Sequence, residues 1–211
     1  MADPSETVQL PEPASDCDQS LVAVLRHRRS VRDYLTAALS LTVIGQLLWA
    51  AQGISHPTGL RTAPSAGALY PLELYVVAGD MDGLAAGVYH YRPNGHRLTR
   101  LQGDDQRKPL AQAAHSQDCV GDAAAVMVFA AVTGRTTQKY GQRGLRYVHM
   151  EAGHAAQNLL LQAQALELAS VVVGAFRDEE VARVLQLPAE VLPLVLMPVA
   201  RAGTNPGSRR Y

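Results

Sequence analysis

The chain has 211 residues, with nineteen basic side chains balancing nineteen acidic ones, 47% apolar residues and 18% charged ones. That balance argues against a nucleic-acid surface, which needs an excess of positive charge, and the apolar fraction argues against a disordered chain. The longest uninterrupted apolar run, 123–132, is ten residues, about half of the ~20 that a membrane-spanning helix requires, so no membrane association is expected.

Residues 1–18 hold Pro4, Pro11, Pro13 and several acids, lack the basic start and apolar stretch of a secretory signal, and read as a flexible tail. Two cysteines, Cys17 and Cys119, are too few for a disulfide framework or a cysteine-rich zinc site, so the expectation is a reduced cytoplasmic protein. Leu21, Val22 and Leu25 then begin a helix over about 19–29, which runs into the basic cluster Arg26-His27-Arg28-Arg29-Ser30-Val31-Arg32. Ser40 offers an N-cap to a second helix, in which Val43, Ile44, Leu47, Leu48 and Ala51 recur at helical spacing and Gly53 stands at the C-terminal cap. Residues 53–68 read as a loop and 72–78 as a strand. A hairpin follows, 87–92 returning as 96–101 around Pro93-Asn94-Gly95. Beyond it come a helix over 105–114, a buried strand over 123–132, a long helix over 144–168 with one apolar face, a strand over 171–176, a short helix over 178–185 and a last strand over 191–199. Strands and helices do not alternate regularly, so the fold class is α+β, with one domain over 19–200 and a C-terminal tail over 201–211.

No Rossmann fingerprint, P-loop or Cys-x-x-Cys pair is present. His149, Glu151 and His154 lie on the long helix, but the histidines are five apart rather than the four that puts zinc ligands on one face. They read as satisfied helix polar residues, and no metal is expected. Ala63-Pro64-Ser65-Ala66-Gly67 has the outline of a nucleophile elbow, yet a proline-ended loop leads into it where an elbow needs a buried strand. The basic cluster has two uses: a solvated helix end, where cations favour the C-terminal dipole, or a phosphate clamp built from arginine forks with Arg28, Ser30 and Arg32 on one side. Spacing alone favours the solvated end. Only two of the nineteen basic residues are lysines, Lys108 and Lys139. Where arginine is the default cation, a lysine at 139 points to a group able to lose its proton, with Tyr140 beside it to relay or orient; otherwise the pair is a surface turn before the long helix.

Three segments in order resemble the FMN-dependent nitroreductase superfamily: Arg28-Arg29-Ser30-Val31-Arg32, then Pro64-Ser65-Ala66-Gly67-Ala68-Leu69-Tyr70-Pro71-Leu72-Glu73-Leu74-Tyr75, then Gly174-Ala175-Phe176. The middle segment, with Leu47-Leu48-Trp49-Ala50-Ala51-Gln52-Gly53-Ile54 and Lys139-Tyr140-Gly141-Gln142-Arg143-Gly144, resembles the SagB-type azoline dehydrogenases. Those enzymes oxidise thiazolines and oxazolines to thiazoles and oxazoles. The resemblance implies a nitroreductase-like α+β fold, a central mostly antiparallel sheet flanked by helices, in an intertwined homodimer carrying FMN at the subunit interface. It assigns the FMN phosphate to Arg28, Arg29, Ser30 and Arg32, with Arg201 a weaker candidate. It sets Pro64, Ser65, Ala66 and Gly67 against the flavin ring of the partner subunit, and turns the backbone N–H groups of Gly174 and Ala175 toward the flavin N5/O4 edge. The Ala-rich long helix matches the central dimer helix, since alanines permit close approach. Lys139 and Tyr140 take the catalytic roles. The implied reaction sends a proton to a protein base and a hydride to the flavin, from a small-molecule or peptide azoline, with a cyclodehydratase as a further partner. A NAD(P)H-dependent nitro- or quinone reductase shares the fold and is the alternative. A flavin-binding partner subunit without turnover is disfavoured by the presence of the Lys-Tyr pair.

Overall fold

The computed structural model describes residues 6–203. Its first half contains β1 (Thr7–Gln9), α1 (Leu21–His27), β2 (Tyr34–Leu35), β3 (Leu39–Ser40), α2 (Leu41–Gln52), β4 (Leu72–Ala78), β5 (Met81–Asp82), β6 (Gly87–Arg92) and β7 (Arg97–Gln102). The second half contains α3 (Arg107–Ala113), α4 (Asp118–Gly121), β8 (Ala125–Ala131), α5 (Gly134–Tyr140), α6 (Arg143–Ala165), β9 (Leu168–Ser170), α7 (Asp178–Leu185) and β10 (Leu192–Ala202). The main sheet runs β1-β7-β6-β4-β8-β10-β2, with β9 also on β10, and each of these pairings is antiparallel. Parallel pairing is confined to the small β3–β5 sheet. The α+β class and the mostly antiparallel sheet expected from the sequence are therefore present.

Period-two alternation splits the strand side chains between two cores. From β4, Leu72, Leu74 and Val76 pack with Ile44 and Leu48 of α2 and Leu159 of α6. Tyr75 and Val77 pack on the other face with Leu110 of α3, Val120 of α4 and Val181 of α7. Strand β8 divides in the same way, Met127 and Phe129 on one side and Val126 and Val128 on the other. A strand covered on both faces has to be apolar throughout, which accounts for the unbroken run at 123–132. The side-chain oxygens of Ser20 and Ser40 cap α1 and α2 by accepting from the N–H groups of Ala23 and Val43.

Three expectations are corrected. The part of the 1–18 tail that is described is tied down: β1 pairs with β7, Leu10 is buried, and its N–H donates to the His96 carbonyl. The hairpin strand β7 would otherwise expose a row of backbone groups, and Val8 and Leu10 supply the apolar contact that pays for ordering the segment. The strand expected at 171–176 lies earlier, at 168–170, with one isolated bridge from Val173 to Leu196, because Glu167 at φ +57 ends α6 and turns directly into the sheet. At the C-terminus, Arg201 and Ala202 belong to β10 rather than to a tail, while 204–211 lie outside the described residues.

The long helix is also used differently. Ala152, Ala155, Ala156 and Ala163 are buried in their own chain's core, so these alanines serve packing within the subunit rather than an outer contact. The face α6 leaves exposed carries Leu145, His149, Met150 and His154.

Candidate active site

The loop between α2 and β4 is held in a conformation that most side chains avoid. Gly67 (φ +64), Ala68 (φ +53) and Tyr70 (φ +46) are all left-handed within four residues, a concentration of backbone strain typical of functional loops. Local bonds offset it: Ser65 Oγ accepts the Tyr70 N–H at 2.9 Å and the Ser65 carbonyl accepts the Ala68 N–H. Arg135 of α5 donates to the Tyr70 carbonyl at 3.0 Å and pairs with Glu73 of β4, whose other oxygen lies 2.6 Å from His90 Nε2. Burial pushes the Glu73 carboxyl up, but the His90 bond and the Arg135 charge outweigh it and hold the group below its ordinary range. This ionised strut fastens α5 to the loop.

At the C-terminal end of α5 stand Lys139 and Tyr140. A β-carbon added to Gly67 would lie 2.8 Å from Tyr140 Oη and 3.0 Å from Lys139 Nζ, so both polar heads converge directly over the glycine. The positive φ favours glycine there, and a β-carbon would push the Tyr140 and Lys139 heads aside. Tyr140 meets the ring of Tyr147 edge-on at 5.2 Å, and Lys139 Nζ lies 5.4 Å from the Tyr140 ring centroid. The pair thus ends a seven-residue helix, capped by Gly141 at φ +56, instead of lying in a surface turn. Lys139 is exposed and Tyr140 half-buried.

Beneath the loop lies Glu151, which the sequence groups with His149 and His154 as a satisfied helix residue. Glu151 is 2% exposed and sits at i+3 from Val148 on the buried stripe of α6. Burial raises its pKa to about 7, against the opposing pull of Ser65, Arg61 and Gln52. Its neighbours His149 and His154 are exposed, so the three do not converge, and Glu151 Oε1 has no hydrogen-bond partner. It is not the satisfied helix residue that its sequence context implied. A carboxyl on an otherwise apolar helical stripe was the available signal. Gln52, Arg61, Glu73 and Arg135, to which the sequence assigned no role, owe their places to tertiary contacts.

The basic segment lies elsewhere. It leaves α1 without secondary structure and is docked by the Val31 N–H on the Ser170 carbonyl of β9. Arg201 pairs across β10 with Leu168 of β9 and Leu35 of β2. Arg29 Nη1 bends back onto the carbonyls of Arg26 and Arg28, capping the helix. Among the described residues, the Arg28, Arg32 and Arg201 guanidinium groups have no ion pair. Arg32 lines a cavity of about 490 Å³ with Tyr34, Asp80, Arg107 and Asp122, which Arg28 does not share. Gly174 and Ala175 are exposed, and a β-carbon on Gly174 would meet nothing within 4 Å. Their N–H groups donate to no other backbone group among the described residues. Uncommitted guanidinium groups, a serine hydroxyl and two open backbone donors are the chemistry that a phosphate and a flavin edge require, so this donor set fits FMN.

Strand β10 measures the spacing. Arg201 lies five residues, about 17 Å, from Leu196, which bridges to Val173 just before Gly174. It lies nine residues, about 30 Å, from Leu192, which pairs with Ala131 and through it with Leu72 at the end of the loop. The basic segment and the Lys139–Gly67 corner therefore occupy opposite ends of one subunit's sheet.

The sequence profile of the nitroreductase family matches residues 25–201. The chain is 46% identical over 178 residues to the protein described as "Putative nitroreductase MJ1384" of Methanocaldococcus jannaschii, covering 84% of this chain and 89% of that one. It is 29% identical over 165 residues to the microcin B17-processing protein McbC of Escherichia coli, spanning 75% of this chain but only 61% of that relative's length. Among solved structures, a protein from Ralstonia eutropha JMP134, described in the same words as the first relative, superposes with a TM-score of 0.85 at 28% identity, over 97% of this chain and 93% of that one. A chain of the E. coli microcin synthetase McbBCD complex, with truncated pro-MccB17 bound, superposes with a TM-score of 0.72 at 25% identity, over 94% of this chain and 79% of that one.

Proposed function

This chain belongs to the nitroreductase family, and from that premise we propose that it is an FMN-dependent oxidoreductase that dehydrogenates a thiazoline- or oxazoline-type ring to the azole. The observation that carries the reading is the convergence of Lys139 Nζ and Tyr140 Oη over Gly67, at the end of a loop strained into position for it. Lys139 Nζ, assisted by Tyr140 Oη, takes the proton from the ring carbon. Arg28, Arg29, Ser30, Arg32 and, more weakly, Arg201 hold the phosphate; Gly174 and Ala175 offer their N–H groups to the ring edge; Pro64, Ser65, Ala66 and Gly67 lie against its face. When bound, FMN supplies the two-electron acceptor for the hydride. The substrate thereby loses two hydrogens and gains one double bond, and dioxygen takes the electrons onward.

The two ends of the sheet support a homodimer, in which the corner of one subunit completes the phosphate segment of the other. Leu21 (64% exposed), Val22 (69%) and Leu25 (53%) on α1, with Met150 (52%) on α6, supply the apolar surface for it. Among the described residues no helix is long and apolar enough to cross a membrane, and the enzyme is taken to act in the cytoplasm. The likeness to McbC and to the microcin synthetase complex supports a peptide-borne azoline delivered by a cyclodehydratase. The name of the 46% identical relative favours a second reading, a NAD(P)H-dependent nitro- or quinone reductase.

An absorbance spectrum followed by reduction trials separates the two. A yellow protein bleached by an azoline but not by NAD(P)H is the expected result; bleaching by NAD(P)H favours the reductase. A colourless protein that cannot be reconstituted with FMN overturns both. Light scattering of a yellow 22.6 kDa species would exclude the dimer.

A further inference from the structure

Two buried polar atoms beneath the loop, Glu151 Oε1 and Gln52 Nε2, lack hydrogen-bond partners. They belong to one cluster. Gln52, fully buried at the end of α2, accepts from Arg61 Nη1 at 2.7 Å, and the side chains of Gln52 and Ser65 face the Glu151 carboxyl. The Arg61 guanidinium lies 4.5 Å from the Tyr70 ring centroid, and its backbone N–H donates to Tyr70 Oη at 3.3 Å. The Tyr70 N–H donates in turn to Ser65 Oγ. A continuous set of contacts thus joins Glu151 to the residues flanking Gly67. Arg61 is turned toward Gln52 and Tyr70 and forms no ion pair with Glu151, so an ionised carboxylate would stand buried and only partly compensated.

We propose that Glu151 is a positioning residue: as an uncharged acid between Gln52, Arg61 and Ser65 it fixes the loop under Lys139 and Tyr140, and once ionised it draws Arg61 away from Tyr70 and releases the loop. The arrangement has two states because Arg61 Nη1 is committed to Gln52 Oε1 beside the Tyr70 face, so pairing with an ionised Glu151 requires the guanidinium to turn away from both. The charges of Glu73 and Arg135 also act on Arg61, and Tyr70 lies across its face. Lys139 and Tyr140 face the loop from α5, while Tyr147 and His154 lie within one turn of Glu151 on α6. The influence on FMN rests on the function proposed above; the response of the loop does not.

The test uses the full chain and its single tryptophan, Trp49, whose indole N–H donates to the Ile54 carbonyl and whose own carbonyl accepts from Thr62 beside Arg61. Trp49 emission of FMN-free protein, followed from pH 5 to 9, is expected to show a transition near neutrality that Glu151→Gln abolishes. Arg61→Gln, which removes the guanidinium that the carboxylate draws away, is likewise expected to leave the Trp49 signal flat, and this keeps the inference testable should Glu151→Gln fail to fold. Titration with FMN is expected to show affinity falling roughly tenfold or more between pH 6 and 8.5, the size of one lost hydrogen bond, with Glu151→Gln flat over that range. A flat Trp49 signal in the parent protein, or the same transition in both variants, overturns the proposal. If FMN never binds, the functional reading fails while the Trp49 measurement still decides the role of Glu151.

Discussion

The two halves of the candidate site are built on opposite plans. The Lys139–Gly67 corner is assembled by its own chain: α5 is strapped down through Arg135 and Glu73, the loop is strained at Ala68 and Tyr70, and a buried carboxyl supports it from below. The Arg28–Arg32 segment makes one docking bond to β9 and leaves the guanidinium groups of Arg28 and Arg32 unpaired among the described residues. On the function proposed above, the difference is one between chemistry and binding. Atoms that must meet a reacting bond are preorganised, since misplacement costs rate directly. Atoms that grip a phosphate can wait for it, because a charge-assisted bond tolerates some adjustment and strengthens as water leaves.

The contrast can be broken by substitution, and the corner should show the largest effect. Lys139→Ala and Tyr140→Phe should each lower azoline oxidation by ~10²–10⁴ with bound FMN and assembly intact, as loss of a general base does. Full turnover in both would reduce the corner to a structural feature. At the other end, Arg28→Ala or Arg32→Ala should weaken FMN about ten- to a hundred-fold in a fluorescence titration, with little change in thermal stability. Unchanged dissociation constants in both would return the segment to a solvated helix end. The two variants also sharpen the comparison with each other, since Arg32 lines a separate cavity and should matter less than Arg28.

Smaller effects test the preorganisation itself. Gly67→Ala must accept a positive φ and a β-carbon against Tyr140 and Lys139, so a loss of about 1–3 kcal/mol in denaturant unfolding is expected. The same change at Gly174, where nothing lies within 4 Å, should cost much less. Glu151 adds a pH signature. Its pKa is raised in the folded chain to about 7 from an ordinary 4.5, so the folded state binds the extra proton between those values. Its stabilising share is complete below about pH 4.5 and is lost as pH rises toward 7. The thermal midpoint should fall over that window by on the order of a few degrees more than in Glu151→Gln. Parallel curves for the two proteins would show that the carboxyl titrates alike folded and unfolded.

The sequence by itself determined the elements whose signals are local. Period-two and helical spacing, with Ser40 and Gly53 as caps, located α2, β4, the β6–β7 hairpin, β8 and α7 to within a few residues. The rarity of lysine pointed to Lys139 and Tyr140, and the family resemblance to that pair and to the 64–67 loop. Tertiary structure decided the rest. A segment such as 7–9 is too short for any periodicity and becomes a strand because β7 offers it an edge. Gln52, Arg61, Glu73, Arg135 and Glu151 come from five separate stretches of chain, and only the packing of α2, β4, α5 and α6 brings them under one loop. Spacing along the chain carries no record of such a meeting, because burial and unmet hydrogen bonds are properties of the folded contact and not of the residue.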